Sequence, residues 1–319
     1  MKKVIIPFKE HRELFCEEAR QLLREAGFEV VGNDTGISMT AEMLKEMIVD
    51  ADAAVAGVEP YSAEVLACAP NLKAIARFGV GTDNIDLEYC KEHGIGVARS
   101  ANHNSVAEFA LTLMLMVIKN MVAFDSAARR AGWDRFTMRE LGGKKVGLVG
   151  FGKVGMQLAR LVSAFQAEVL VYDPYISAAP EGMNVKIYDR LEDMLADADI
   201  ASLHLPATPA THHLFNADMF ACMKDGAYLI NTARGSIVDE NALYDALTSG
   251  KLAGAGLDVY EEEPLTPDNR IIGLPNVVVT PHAAALSYET NYNGSLICAR
   301  AIIDMCSGKA PANPVAWNH

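Results

Sequence analysis

Apolar and polar positions along this chain follow two rhythms that take turns. Short β-type runs at residues 4–6, 29–31, 53–56 and 74–76 alternate with stretches whose apolar residues recur at helical spacing. The first such stretch, residues 11–26, puts Leu14, Phe15, Ala19, Leu22, Leu23 and Ala26 on one face and stops at Gly27. Residues 105 to about 130 read as one long helix, ended by Gly132 and Trp133. Further strands follow at residues 145–149, 168–172, 200–205, 227–231, 254–258 and 276–280. A last helix over about 287–306 has no strand after it, so the pattern leaves its domain open. Alternation of strand and helix from end to end predicts a parallel α/β architecture. A length of 319 residues predicts two domains, each with room for a core.

Composition narrows the partners. A net charge of −13, with no cluster of Lys and Arg to override it, argues against a nucleic-acid or membrane-surface partner. The cysteines contain no Cys-x-x-Cys and no metal-like grouping with histidine, so reduced, buried thiols and no metal are expected. The start, Met1-Lys2-Lys3-Val4-Ile5-Ile6-Pro7, has the charge of a signal sequence, but its apolar run is too short and reads as a first strand. The longest apolar run, residues 109–118, is too short to span a bilayer and reads as a helix buried on most sides. A soluble, cytoplasmic protein is expected.

The candidate chemistry begins at Gly150-Phe151-Gly152-Lys153-Val154-Gly155. A β-type run precedes this Gly-x-Gly-x-x-Gly, a helical run follows it, and a second β-type run ends in Asp173. That acid stands about where a dinucleotide fold needs one for the adenosine ribose. The glycines allow the tight turn, close approach of a pyrophosphate and close helix–strand packing, and the free amides at the helix start favour anions. No arginine follows Asp173, where Pro174 and Tyr175 stand, so NAD rather than NADP is expected. The loop after the first strand, Pro7-Phe8-Lys9-Glu10, has no such glycine.

Three later strand ends carry reactive side chains: Asn231-Thr232-Ala233-Arg234-Gly235, Asp258-Val259-Tyr260-Glu261-Glu262-Glu263-Pro264 and Thr280-Pro281-His282. In a doubly wound sheet ligands lie at the carboxyl ends of the strands, so Arg234, Asp258 and His282 are expected to converge on the nicotinamide end of the cofactor. Exchange of a hydride between a nicotinamide and a 2-hydroxy/2-keto acid needs such groups. An arginine fork holds the carboxylate and polarises the carbonyl. A histidine moves the proton. A carboxylate beside the histidine favours its charged form and orients it.

At these residues the chain resembles the D-isomer-specific 2-hydroxyacid dehydrogenases, nearest their phosphoglycerate-dehydrogenase-like branch. The resemblance is carried by Arg77-Phe78-Gly79-Val80-Gly81-Thr82-Asp83-Asn84-Ile85-Asp86, by Asn102 with Ser105-Val106-Ala107-Glu108, and by the glycine loop with Asp173. It continues through Leu203-His204-Leu205-Pro206-Ala207-Thr208-Pro209 and the run from Asn231 to Pro264. It implies that Arg234, Glu263 and His282 are catalytic, with His282 as acid/base and Glu263, the acid directly before the proline, as its partner. Gly150, Gly152, Lys153, Val154, Gly155, Asp173, His204, Pro206, Thr232, Ala233 and Asp258 would bind NAD. Val80, Gly81 and Asn102, together with Arg234 and His282, would meet the substrate. The implied fold is two doubly wound parallel-sheet domains. A Rossmann nucleotide domain (residues 99–284) is inserted in a flavodoxin-like substrate domain (residues 1–98 and 285–319), and the last helix returns to the latter. The helix after Ser105 would help form a homodimer.

Departures from the family pattern bear on the substrate. Glu59 stands near where phosphate-handling members carry basic residues, which argues for a small D-2-hydroxy/2-keto acid of the glyoxylate or hydroxypyruvate type over 3-phosphoglycerate. Only Lys9, His11 and Arg12 could substitute as a phosphate site. Arg99 is a charge without an assigned role, and Ala283-Ala284-Ala285 replaces a glycine-containing stretch, narrowing the space expected at the nicotinamide. The carboxy-terminal regulatory domain of some relatives is expected to be absent. Glu263 argues against formate oxidation, whose enzymes carry glutamine there. An NAD(H)-sensing corepressor is the alternative of another class.

Overall fold

The computed structural model describes residues 1–100 and 103–316, and the chain divides into two compact units. Unit one is Met1–Asn102 with Leu286–His319, and unit two, His103–Ala285, is inserted in it. The junctions thus fall at 102/103 and 285/286 instead of 98/99 and 284/285. The first shift has a local reason: Arg99 ends a strand of the first sheet, and the Ser100 amide donates to the Arg77 carbonyl at 2.9 Å.

The strands of unit one are β1 (Lys2–Ile6), β2 (Phe28–Gly32), β3 (Ala53–Ala56), β4 (Ala74–Arg77) and β5 (Gly96–Arg99). Those of unit two are β6 (Lys145–Val149), β7 (Glu168–Tyr172), β8 (Val185–Ile187), β9 (Ile200–Leu203), β10 (Ala227–Asn231), β11 (Leu252–Leu257) and β12 (Val277–Val279). A last strand, β13 (Pro314–Ala316), belongs to the first sheet.

In unit one the order β2-β1-β3-β4-β5 is the flavodoxin-like order. Ile5, Ile75 and Val97 face one apolar layer, and Val4, Ala76 and Ala98 face the other. The terminal helix Tyr288–Cys306, started by Ser287 whose hydroxyl accepts from the Thr290 amide at 3.1 Å, packs on this sheet through Cys298, Ala299, Ile302 and Met305. Its place, open from the pattern alone, is therefore unit one. A strand does follow it, contrary to expectation. β13 pairs antiparallel with β5 along the sheet edge, where a proline is tolerated.

In unit two the order β8-β7-β6-β9-β10-β11-β12 is entirely parallel, with β6 beside β9 where the chain reverses direction across the sheet. This is the Rossmann arrangement, and its switch point lies at the ends of β6 and β9. Apolar layers cover both faces, one centred on Leu170, Leu203, Leu229 and Leu257, the other on Val146, Leu148, Val171 and Ile230.

Two predicted helices are each broken. The first divides into His11–Leu14 and Glu17–Glu25, and the amide of Cys16 in the break donates to the Ser295 hydroxyl at 3.1 Å. The long one divides into Asn104–Ile118 and Met121–Arg129, bent by 65°. Asn120 sits at the bend at φ 52°, a left-handed setting that asparagine tolerates, and its side chain donates to the Thr137 carbonyl at 3.1 Å. Helix Asn104–Ile118 buries Ala107, Ala110, Leu113, Met114, Val117 and Ile118, while Phe109, Leu111, Leu115 and Met116 on its other faces are half-buried. Among the described residues no single helix is long and apolar enough to cross a membrane; this bent pair is so only by joint length and composition. Cys90 and Cys298 are buried, and the other cysteines are half-buried, so the expected burial of all the thiols does not hold.

Candidate active site

The glycine loop closes β6 at the switch point and opens helix Lys153–Ala164. Gly150 has φ 96°, and a Cβ there would approach the His204 carbonyl to 2.7 Å. A Cβ on Gly155 would collide with the Gly150 carbonyl, so loop and helix close up only around glycine. At Gly152, by contrast, a Cβ would meet open space, and this N-cap residue offers no side chain to the amides of Lys153 and Val154 that begin the helix. An open approach to unclaimed amides at the positive end of a helix dipole suits a pyrophosphate. These residues fit a dinucleotide.

Asp173, just after β7, turns its carboxylate toward this loop. Oδ2 accepts from the Phe151 amide at 2.8 Å and Oδ1 from the Tyr175 amide at 2.9 Å. His204 follows β9, with Nε2 2.9 Å from the Ser202 hydroxyl, and burial of the ring pushes its pKa down to about 4. Pro206 is exposed, and its carbonyl accepts from the Thr211 hydroxyl at 2.8 Å. At the end of β10, Thr232 is buried with its hydroxyl lacking a hydrogen-bond partner among the described residues. An orphaned hydroxyl at a strand's carboxyl end is a group for a ligand to satisfy. The Ala233 amide donates to the Asn231 side chain at 3.0 Å, which shapes the turn carrying Arg234.

The catalytic candidates come together in unit two. His282 Nδ1 lies 2.7 Å from Glu263 Oε2, while Glu263 Oε1 accepts from the Tyr260 amide at 2.9 Å. Partial burial of Glu263 would raise its pKa. The hydrogen bonds from His282 and Tyr260 and the charges of His282 and Arg234 outweigh that, and the net direction is down. Arg234 is thus within electrostatic reach of the same carboxylate, and its guanidinium donates to the Ala233 carbonyl at 2.7 Å. His282 is held at φ 53°, a left-handed setting uncommon outside glycine and frequent at functional sites.

Asp258 lies beside the same loop. It is fully buried, and its carboxylate accepts from the Thr280 hydroxyl at 2.6 Å and from the amides of Ala283 and Ala284 at 2.8 and 2.9 Å. Its side chain is spent on the loop that carries His282. Ala283 and Ala284 therefore form the loop's anchorage. Tyr260 escaped the pattern analysis: its amide holds Glu263, and its hydroxyl donates to the Leu257 and Thr280 carbonyls at 3.0 and 2.9 Å. Its place directly before the acids was the available signal.

The substrate candidates Val80 and Gly81 lie in unit one, in the loop after β4, and Asn102 lies outside the described residues. Arg99 reaches the Val80 carbonyl at 3.4 Å. Glu59, expected to act against a phosphate, does not present its charge to solvent. It is buried, Oε2 accepts from the Gly57 amide at 3.0 Å, and burial raises its pKa. Lys9 and Arg12 pair with Glu10 and Asp34 at 3.4 and 2.7 Å, and His11 is buried beside Arg20.

Comparison with known proteins agrees with this geometry. The family model "D-isomer specific 2-hydroxyacid dehydrogenase, NAD binding domain" matches residues 111–284. A D-3-phosphoglycerate dehydrogenase of Archaeoglobus fulgidus is 40% identical over 308 residues, 95% of this chain but 58% of that protein. The chain thus spans little more than half the length of this relative. A glyoxylate reductase of Thermofilum pendens is 37% identical over 306 residues, covering 92% of this chain and 90% of that one. Among solved structures, a D-lactate dehydrogenase from Aquifex aeolicus complexed with NAD and lactic acid aligns with a TM-score of 0.86 and 27% identity, over 99% of this chain and 100% of that chain. With a Rossmann unit inserted in a flavodoxin-like one, a glycine loop at the switch point and this breadth of likeness, the chain belongs to the D-isomer-specific 2-hydroxyacid dehydrogenase family.

Proposed function

We propose that this chain is an NAD-dependent dehydrogenase interconverting a small D-2-hydroxy acid and its 2-keto acid, of the glyoxylate or hydroxypyruvate type. The observation that carries the reading is the 2.7 Å pair of His282 and Glu263 in the unit that holds the dinucleotide loop. The nicotinamide, when bound, supplies or accepts the hydride at carbon 2. Arg234 holds the substrate carboxylate and polarises the carbonyl with its fork. Glu263 occupies Nδ1 of His282, so Nε2 is the atom that delivers the proton during reduction and removes it during oxidation. Val80 and Gly81, in the loop after β4, are the further candidates for the substrate carboxylate.

D-3-phosphoglycerate oxidation is the second reading, favoured by the Archaeoglobus relative and by the inward turn of Glu59, which removes the repulsion argued against a phosphate. Against it stands the local pairing of Lys9 and Arg12 with acids. We further infer a cytoplasmic homodimer without nucleic-acid or membrane partners. Its support is the net charge of −13 and the exposed Met121, Val122, Trp133, Phe136 and Met138 of unit two, an apolar set suited to a second copy. Steady-state reduction of glyoxylate, hydroxypyruvate, longer keto acids and phosphohydroxypyruvate with NADH tests the substrate. A kcat/KM more than about tenfold higher for the phosphorylated acid establishes the second reading. Cofactor binding with no turnover of any keto acid establishes the NAD(H)-sensing alternative instead.

A further inference from the structure

The segment after β9 carries two adjacent histidines, His212 and His213, that the chemistry above does not use. Their rings stack with centroids 4.0 Å apart, and His213 is held in the left-handed region at φ 48°. The His213 amide donates to the Ser236 carbonyl at 2.8 Å, two residues beyond Arg234. Its Nε2 pairs with the carboxylate of Glu261, two residues before Glu263. Between these two attachments lies the arginine turn. Gly235 is buried so closely against the backbone of Tyr260 and Glu261 that a Cβ there would overlap it. Glu261 is also fixed through its own amide, which donates to Glu240 Oε1 at 2.8 Å, and Glu240 Oε2 accepts from Asn269 at 3.0 Å.

We propose that His213 and Glu261 form a clasp that holds the arginine turn against the acid-bearing loop, making His213 a positioning residue for both Arg234 and Glu263. The inference rests on the reading of Arg234, Glu263 and His282 as the catalytic set. A partly exposed ion pair adds little to global stability. Its effect here lies in the register of two loops, since a displacement of about 1 Å at a reacting group costs on the order of a hundredfold in rate. Beside the imidazole stand Glu261, with Glu240 behind its amide, and the stacked His212.

Two measurements on the full chain test the clasp. In hydrogen exchange read by mass spectrometry, His213→Ala and Glu261→Gln speed exchange over residues 234–238 and 259–263 by roughly tenfold and leave the glycine loop unchanged. In steady-state reduction with NADH, each variant loses roughly tenfold in kcat/KM, and the double variant loses no more than either alone. His213→Asn, which keeps a donor, restores both the slow exchange and kcat/KM. Unchanged exchange, losses that multiply in the double variant, or no rescue by asparagine overturns the clasp. Retained turnover in His282→Ala instead overturns the catalytic reading, and the exchange experiment still judges the clasp.

Discussion

The backbone of His282 is held by Asp258: its amide donates to the Asp258 carbonyl at 2.8 Å while the Asp258 carboxylate gathers the next two amides and the Thr280 hydroxyl. The left-handed setting at His282 persists because this buried acid over-determines the loop around it. Asp258→Asn places an amide group among donors. One donor then loses its acceptor at a cost of about 2–3 kcal/mol. A fall of several degrees in Tm is expected, with a loss in kcat for keto-acid reduction. An asparagine variant with unchanged Tm and kcat shows that the carboxylate does not hold this loop.

Glu263 faces His282 through Oε2 and fixes the imidazole through Nδ1, leaving Nε2 for the substrate. Glu263→Gln keeps the shape and removes the charge. A loss of roughly tenfold in kcat/KM is expected, while His282→Ala costs on the order of a hundredfold in rate. The pKa of Glu263 itself is depressed below its ordinary 4.5 in the folded chain. Its contribution to stability is therefore complete above that value and lost as pH falls through the folded pKa. An unchanged kcat/KM in the glutamine variant removes Glu263 from the catalytic set.

Much of this site was legible in the sequence because its steric demands are local. Gly150, Gly152 and Gly155 mark a strand–turn–helix that tolerates no side chain at two of the three places, and Asp173 follows at a spacing set by one βαβ unit. Asp258 and Glu263 were harder to tell apart. Both are acids after β11, and their different work depends on donors that no spacing reveals: the amides of Ala283 and Ala284 for one, an imidazole for the other. The helix breaks at Cys16 and Asn120 were invisible because apolar spacing continues across them. β13 was invisible because three residues with a proline carry no period.

Glu59 offers a test of burial in unit one. Desolvation raises its pKa, with the Gly57 amide and the charge of Arg77 acting in the opposite direction. The folded state thus favours the protonated acid. The stability this confers is fully present below the ordinary carboxylate pKa and is lost as pH rises through the folded one. Glu59→Gln retains an acceptor for the Gly57 amide without the charge. Its Tm is expected to exceed that of the unmodified chain by a few degrees at pH 8 and to match it near pH 4. A lower Tm at pH 8 would mean that the ionised carboxylate stabilises the fold.

Asp173 decides between the two nicotinamide dinucleotides. Its oxygens are fixed by the Phe151 and Tyr175 amides, 2.8 and 2.9 Å away, and each keeps a lone pair for a ribose hydroxyl. A 2′-phosphate in that place meets a fixed like charge, which costs several kcal/mol. Pro174 and Tyr175, directly after Asp173, carry no positive charge to offset it. Tyr175 points to solvent, and the next basic residues, Lys186 and Arg190, pair with Asp197 and Glu192 at 3.4 and 3.5 Å. The kcat/KM with NADH is expected to exceed that with NADPH by roughly a hundredfold, equivalent to about 2.8 kcal/mol. Asp173→Ala removes both the attraction to the diol and the repulsion of the phosphate, and the ratio should contract to within about tenfold. Equal efficiency with both cofactors in the unmodified chain would show that Asp173 does not read the ribose.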